Sequence, residues 1–523
     1  MPDFSDLTLI APLVALAAAA LMVIVVDLVV PARISRGTVL LTAVAGLLLT
    51  GWYLLDVWGG VASLPEFASG GLAPFGGALA LDGLSTAAAG LVLGVALVAV
   101  LLSTTEPARD MSGYISLLLF AALGMIVLAG TGDLMVMFVA LELLSLSLYV
   151  LVSFRRGRLE AREGAFKYFL LGSVAAGLLL YGFALIYGVT GATHLSAIAG
   201  YVREGAVAPL YHAGVALVLV GFAFKLALAP FHTWAPDAYQ GATVPVTAFM
   251  AVGTKTAAFV ALARFLWAAV PVDAGLSSAY MIPIAVLAVA SMLVGSLGAL
   301  FQTNLKRLLA YSGIAHAGYL FLPLVSLTPE GLGQALFYLF AYLCMTGGAF
   351  AVIAARAAEA RATAGGEGTA VDIEDLANWR GLYQTRPGLA LLMALFFLAM
   401  AGMPPTAGFT GKLLLISGGL AAGAGWLLAS MVASTGISAY VYLRVVGALF
   451  RSPEAAPAAA VAHDPVPAGV VGIVPAPGVA QPAIQWDRFA VGLVLVVLAA
   501  GLIVLGLFPN VLLTGLEGLL PVR

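Results

Sequence analysis

Charged residues are scarce in this chain. Only 9% of its 523 residues are Asp, Glu, Lys or Arg, while 62% are hydrophobic, against the ~45–50% apolar usage of a soluble domain. Because so few charges cannot cover a water-exposed surface, the sequence predicts a protein whose main solvent is lipid. The formal net charge of −2 also argues against nucleic acid as a partner, which would call for a basic face.

Cysteines and nucleotide-binding motifs are nearly missing as well. Cys344 is the only cysteine, which excludes an internal disulfide and any cysteine-based metal or iron–sulfur site. The five histidines lack metal-ligand spacing, and there is neither a GxxxxGK[ST] loop nor a strand-flanked GxGxxG motif. We therefore expect no cofactor and no metal in this chain. Residues 1–6 are acidic, so we interpret the first apolar run as a retained helix rather than a secretory signal.

Long apolar runs are what the sequence contains instead. Runs of about 20 apolar residues, long enough to cross a bilayer as helices, recur from Leu9 to near Leu513. The pattern predicts an all-α polytopic membrane protein with about 14 transmembrane helices. These runs begin near Leu9, Val39, Leu79, Tyr114, Leu134, Ala165, Leu210, Val244, Tyr280, Leu308, Leu332, Leu389, Trp426 and Phe489.

The distribution of arginines predicts the orientation. With the N-terminus outside, nearly all loop arginines lie on the cytoplasmic side, and the opposite loops keep little beyond Arg203 and Arg523. We therefore expect a multi-pass protein of the bacterial inner membrane with both termini on the outer side. Two stretches, 357–369 and the Ala/Pro-rich 453–486, contain few large side chains and are predicted to be cytoplasmic loops.

Proline interrupts two of the apolar runs. Each proline frees the carbonyl four residues before it, and broken helices at membrane depth are buried in protein or line water. Breaks at matching places in two halves indicate inverted repeats, although proline also simply kinks membrane helices. We expect a three-helix segment at 1–110, repeats at 111–270 and 275–452, and a last helix within 487–523. The breaks are at Pro230, which frees the carbonyl of Leu226, and at Pro404-Pro405, which free those of Met400 and Ala401.

Lysine is rare, and its placement is informative. Of five lysines, Lys225, Lys255 and Lys412 fall deep within apolar runs, whereas nearly all the arginines lie in loops. A lysine can lose its proton when it is desolvated, but an arginine stays charged. A lysine within a membrane span is therefore a functional hypothesis by default. Chance is the alternative, since an arginine-rich composition leaves few lysines to place anywhere.

Glu142 is the matching anion within the fifth run. A carboxylate ~4 Å from a lysine at an effective dielectric of ~20 contributes ~4 kcal/mol, and moving one charge across 100 mV takes ~2.3 kcal/mol. Movement of Glu142 relative to Lys225 could therefore load or unload a proton. The alternative is a static ion pair that only fixes helix packing.

The remaining polar residues support weaker hypotheses. His232 and His316 are candidate relays, because histidine titrates nearest to neutral pH, but each could be a structural histidine. Lys306 is interpreted as a topology signal. The other interpretations are Lys167 as an interfacial anchor, Asp82 as facing headgroup water, and Arg264 as snorkelling or pairing locally.

Three segments resemble a known family. Residues 134–154, 167–172 and above all 221–249 are similar to the antiporter-like subunits of respiratory complex I. Within that group, 234–249 and 402–412 resemble the subunit N branch rather than L or M. The resemblance spans about residues 114–450.

The resemblance implies specific roles for the buried charges. Glu142 and Lys225 would form a switching pair, Lys255 would be the central relay and Lys412 the outlet-side proton carrier. It also implies two inverted five-helix units, with the seventh and twelfth helices broken.

The function implied is that of a membrane-arm subunit of a proton-translocating NADH:quinone oxidoreductase. Flavin, iron–sulfur clusters, NADH and quinone would then belong to partner subunits, and other antiporter-like subunits would be neighbours in the bilayer. Two alternatives are a subunit of a multisubunit sodium/proton antiporter and a passive scaffold for neighbouring helices.

Overall fold

A computed structural model describes most of the chain. The described residues are 4–61, 72–106, 110–155, 157–204, 207–270, 277–325, 328–363, 373–421, 423–452 and 486–517. The predicted loop at 453–486 lies outside them up to residue 485. The other predicted loop, 357–369, is wrong in its first part, because the helix Gly348–Thr363 continues through it. Alanine, glutamate and arginine are good helix formers, which favours this extension.

Eleven described helices are long and apolar enough to cross a membrane. They are Ala11–Val29, Ile34–Gly60, Gly83–Thr105, Met111–Ala129, Leu134–Val152, Leu159–Thr190, Val244–Ala269, Tyr280–Leu300, Pro329–Ala362, Gly425–Phe450 and Asp487–Leu507. The all-α polytopic fold is thereby confirmed.

Shorter helices supply the remaining crossings. Two pairs are interrupted in the middle, Pro209–Lys225 with Trp234–Gly241 and Pro387–Ala401 with Ala407–Ala421, and Leu305–Tyr319 stands alone. If each pair counts as one crossing, the described residues give fourteen membrane crossings. These crossings are numbered here as spans 1 to 14 in chain order, and spans 7 and 12 are the broken ones. The predicted starts lie within about two helical turns of the observed ones.

Both breaks have a local conformational cause. Ala227 in the first and Gly402 in the second have positive φ, at 56° and 89°, which ends an α-helix at that point. Lys225 is the last residue of the first half of span 7, and Lys412 lies in the second half of span 12. The two lysines therefore flank their breaks from opposite sides, as the sequence predicts.

Two β-bridges mark the starts of spans 5 and 10. Asp133 pairs with His194, and Asn304 pairs with Asp375. The Asp133 and Asn304 side chains also cap the first turns of their helices. Because five crossings separate the two starts, the bridges lie at opposite ends of the helical bundle.

Candidate functional site

The five lysines divide into two groups. Lys225, Lys255 and Lys412 are only 3%, 3% and 6% exposed. Within the described residues, none of these three forms an ion pair, whereas Lys167 and Lys306 both pair with carboxylates. The three buried ammonium groups therefore have only neutral partners, although an isolated charge in such surroundings is costly.

Lys225 lies in an aromatic and hydroxyl-lined pocket between spans 5, 6 and 7. Its Nζ donates to Ser145 Oγ at 2.7 Å and to Tyr168 Oη at 3.2 Å. The Tyr168 ring stacks on Trp234, with 4.3 Å between ring centroids. Trp234 in turn donates its indole N–H to the Phe224 carbonyl, 3.0 Å away. The break in span 7 thus folds back on the lysine that precedes it.

Glu142 does not contact Lys225 directly. Among the described residues, its Oε1 is buried without a hydrogen-bond partner. Ser145, one turn further along the same helix, takes the place of the carboxylate beside the Lys225 ammonium. The geometry is therefore not that of a closed ion pair between these two residues.

Lys255 is held loosely between two tyrosines. Its Nζ lies 3.4 Å from Tyr239 Oη and 3.4 Å from the Ala251 carbonyl, both long contacts. The centroids of the Tyr239 and Tyr342 rings are each 5.8 Å from this Nζ. Lys255 directly follows a π-helical turn, Met250–Thr254, a feature that is frequent at functional sites.

His316 bridges the space between Lys255 and Lys412. Its Nδ1 lies 2.7 Å from Tyr338 Oη, and its Nε2 lies 3.1 Å from Tyr442 Oη. The ring is 5.2 Å from that of Tyr342, which faces Lys255, and 5.3 Å from that of Tyr319. Both ring nitrogens thus have hydroxyl partners, which is the arrangement that a proton relay needs.

Lys412 lies at the break in span 12 and completes a set of four buried residues, Lys225, Lys255, His316 and Lys412, which is called the row below. Its Nζ donates to the carbonyls of Met400 at 2.8 Å and Ala401 at 3.2 Å. These are the two carbonyls that the sequence predicts to be freed by the prolines. The ammonium lies over the Tyr319 ring, 5.6 Å from its centroid.

His232 is not brought to the row. It follows the break in span 7, is half-buried, and its ring lies 6.3 Å from that of Tyr311. Within the described residues, its Nδ1 has no hydrogen-bond partner.

The interpretation of Asp82 is wrong, and Lys306 has a buried partner that its interpretation as a topology signal does not include. Lys306 is fully buried, at 0% exposure, and pairs with Glu374 at 3.0 Å. Asp82 is also buried and forms a two-pronged pair with Arg264, at 2.6 and 2.8 Å, so it does not face headgroup water. Arg264 does pair, although with a residue 182 positions away in the chain rather than with a local one. In both cases the cause is a partner distant in sequence, which no local pattern reveals.

Lys167 keeps its predicted place near the beginning of span 6. It is partly exposed and pairs with Glu163 at 2.6 Å and with Asp237 at 2.7 Å. This is the geometry of an anchored surface lysine rather than of a member of the row.

Comparison with known proteins identifies the family. Residues 131–438 match the family model described as NADH:quinone oxidoreductase/Mrp antiporter, TM. The chain is 44% identical over 518 residues, 98% of its length, to NADH-quinone oxidoreductase subunit N 1 of Symbiobacterium thermophilum, covering 97% of that protein. The chain belongs to the subunit N family of NADH-quinone oxidoreductase. Another member of the family, from Trichlorobacter lovleyi, is 39% identical over 86% of this chain and 88% of its own.

Chains of two solved membrane complexes are also similar to this chain. A chain of respiratory complex I from Thermus thermophilus with bound Aureothin is 36% identical, with a TM-score of 0.73 over 97% of this chain and 99% of its own. A chain of the Mrp complex from Dietzia has a TM-score of 0.75 over 99% of this chain and 96% of its own. At 24% identity, the second likeness shows a shared fold alone.

Proposed function

We propose that this subunit moves protons across the membrane through a row made of Lys225, Lys255, His316 and Lys412. Glu142 is the carboxylate that biases the first lysine. Redox chemistry in partner subunits, which hold flavin, iron–sulfur clusters, NADH and quinone, drives the transfer. The observation that carries the proposal is that the three buried ammonium groups all have neutral partners.

Neutral partners matter because an ammonium group without a neighbouring negative charge loses its proton more readily. A lysine locked to a carboxylate keeps its proton, while desolvation without a counter-charge favours the neutral amine. Lys167 and Lys306 have such carboxylates, and the three row lysines do not. The sequence places titratable cations where burial makes their protonation depend on nearby charge.

Each member of the row contacts groups that can pass a proton on. Tyr168 and Ser145 touch Lys225, Tyr239 touches Lys255, and His316 has a hydroxyl on each ring nitrogen. Hydroxyls and imidazoles both donate and accept protons. We assign no step to His232, which lies outside this row.

Glu142 and Lys225 do not form an ion pair here, so the distance between them can still shorten. Such a movement would change the electrostatic stabilisation of the Lys225 ammonium group. With Ser145 beside the ammonium, an approach of the carboxylate to ~4 Å would add up to ~4 kcal/mol of attraction at an effective dielectric of ~20. That exceeds the ~2.3 kcal/mol needed to move one charge across 100 mV. Approach loads Lys225 with a proton, and withdrawal releases it toward Lys255.

We also propose the two-repeat division at 111–270 and 275–452, with both termini on the outer side. The β-bridges at opposite ends of the bundle and the broken spans 7 and 12 support inverted repeats. The arginine distribution supports the orientation. Other antiporter-like membrane subunits of the complex would contact the lipid-facing helices.

Replacement of the central lysine tests the function. In inverted membrane vesicles carrying the assembled complex, Lys255→Met should abolish NADH-driven acidification while NADH oxidation continues. Lys167→Arg, which keeps the charge of a partly exposed lysine paired with Glu163 and Asp237, is the control and should keep both. Normal acidification by Lys255→Met would overturn the proposal.

A further inference from the structure

Lys306 is a fourth buried lysine, and its protons are all engaged. Its Nζ donates to the carbonyls of Gln240 at 2.7 Å and Ala242 at 2.8 Å, and it pairs with Glu374 at 3.0 Å. An ammonium group has three protons. Since three acceptors surround it and one is a carboxylate, each proton of the Lys306 ammonium is held by its own acceptor, which makes Lys306 unsuited to pass a proton on.

Lys306 binds the C-terminal end of the second half-helix of span 7. Gln240 is next to last in the half-helix Trp234–Gly241, whose final carbonyls lack partners within the helix. A cation at a helix C-terminus is favoured by the helix dipole. Thr247 Oγ1 holds the carbonyl of Tyr239 at 3.1 Å. This half-helix therefore ends in a fixed position.

The fixed end carries the tyrosine that touches the central lysine. Tyr239 directly precedes Gln240, and its hydroxyl is the side-chain partner of the Lys255 ammonium at 3.4 Å. Tyr239 is only 2% exposed, so its ring has little freedom to move. A shift of the half-helix end would thus change the surroundings of Lys255.

Glu374 anchors Lys306 from a loop between spans 11 and 12. Its carboxylate also accepts from Arg155 at 2.9 Å and from Arg158 at 3.3 Å, both in the loop after span 5. Its backbone carbonyl accepts from Leu305 N at 2.7 Å. Glu374 is 4% exposed and joins a loop of the second half of the chain to the first half.

We propose that Glu374 and Lys306 are positioning residues, which hold the Tyr239 hydroxyl against Lys255 and so set how readily this lysine releases its proton. The inference rests on the proposed function of the row. The contacts run from Glu374 to Lys306, to the carbonyl of Gln240, to Tyr239 and to Lys255. Neither positioning residue carries the proton itself.

The experiment measures protons moved per NADH oxidised, in inverted vesicles with the assembled complex. Loss of folded complex lowers pumping and oxidation together, but a positioning defect lowers their ratio. Residues along such a network typically change a coupling about twofold or more. We therefore expect Glu374→Gln and Lys306→Met to lower the ratio about twofold or more. Lys306→Gln, which keeps a donor, should be closer to wild type than Lys306→Met.

Glu163→Gln is the matched control for Glu374→Gln. Glu163 also pairs with a lysine, but its side chain is 55% exposed and it has no contact with Lys306 among the described residues. Its ratio should stay at the wild-type value. Should Lys306→Met fail to assemble because it leaves the buried Glu374 unpaired, Lys306→Met with Glu374→Leu removes both charges and is measured in its place.

A double-mutant cycle with Tyr239→Phe tests the route. If the pair acts through the Tyr239 hydroxyl, Glu374→Gln should lower the ratio no further in the Tyr239→Phe background. Independent, additive losses would overturn the inference. Wild-type ratios of protons to NADH for the Glu374 and Lys306 variants, with pumping stopped by Lys255→Met, would also overturn the inference. That result would leave the proposed function intact. Normal pumping by Lys255→Met would instead refute the function.

Discussion

The Lys412 ammonium lies 2.8 Å from the Met400 carbonyl oxygen, across the break in span 12. The two halves of this span are thus joined by a side chain of one and the backbone of the other. A carbonyl left without its helical partner must find another donor at this depth. Lys412 fills that need with a group that can also lose a proton, which is the property that the proposed row requires of it.

Lys412→Arg separates charge from proton release. The guanidinium keeps the positive charge and can donate to the same carbonyls, but it does not deprotonate in proteins. We expect at least about a tenfold loss of NADH-driven pumping with the complex still assembled. Pumping by vesicles and the amount of complex in the membrane are measured together. Lys167→Arg serves as control, and wild-type pumping by Lys412→Arg would remove Lys412 from the row.

The contact between Lys412 and Met400 shows which features of the site can be predicted from the sequence. Proline chemistry alone predicts that the carbonyls of Met400 and Ala401 are freed, and in the structure both accept from Lys412, a partner that the sequence does not predict. Apolar runs likewise predict the spans, because bilayer thickness fixes helix length. Such features depend on neighbours in the chain, so a sequence pattern can reveal them.

Lys306 and Glu142 show what sequence cannot supply. Lys306 beside Arg307 is typical of a helix start at the membrane surface. Its burial depends on Glu374, a carboxylate brought in from a distant loop. The sequence predicts a Glu142–Lys225 pair, but the ammonium group contacts Ser145 instead, which follows from helix rotation and packing. Long-range packing of this kind leaves no periodic signal.

Gly313 provides a test of the space between Lys255 and His316. A Cβ at this position would lie 2.9 Å from Tyr342 Oη and 3.0 Å from Lys255 Nζ. Gly313→Ala should therefore displace one of these groups and lower pumping per NADH, by about twofold or more. Gly90→Ala is the matched control, since a Cβ there meets no described atom within 4 Å. Equal pumping by the two variants would show that this space is not on the route.

Glu142→Gln should harm pumping far more than stability. Because Glu142 Oε1 has no hydrogen-bond partner among the described residues, its loss should cost under about 1 kcal/mol of folding free energy. Asp133→Ala is the contrasting variant, since Asp133 caps the same helix and the loss of a cap costs about 1 kcal/mol. Thermal unfolding and pumping are compared for both. A Glu142→Gln complex that unfolds early but pumps normally would indicate a structural carboxylate.

Glu374 should make the stability of the complex depend on acid pH. Burial alone would raise the pKa of this carboxyl group, but Lys306 and Arg155 outweigh burial and hold that pKa at about 2, below the ordinary 4.5. A difference of this size corresponds to on the order of 3 kcal/mol of stability. Because the folded-state pKa is lowered, this contribution is fully present above pH 4.5 and is lost as the pH falls toward 2.

Thermal unfolding of the purified complex from pH 7 to pH 3 measures this dependence. The wild type should exceed Glu374→Gln by a constant margin down to about pH 5, and the margin should shrink at lower pH. Glu163→Gln, at a largely exposed carboxylate, should show no comparable margin, because exposed pairs contribute only about 0–1 kcal/mol. A Glu374→Gln margin that stays constant down to pH 3 would mean that the Lys306 pair does not contribute through its charge.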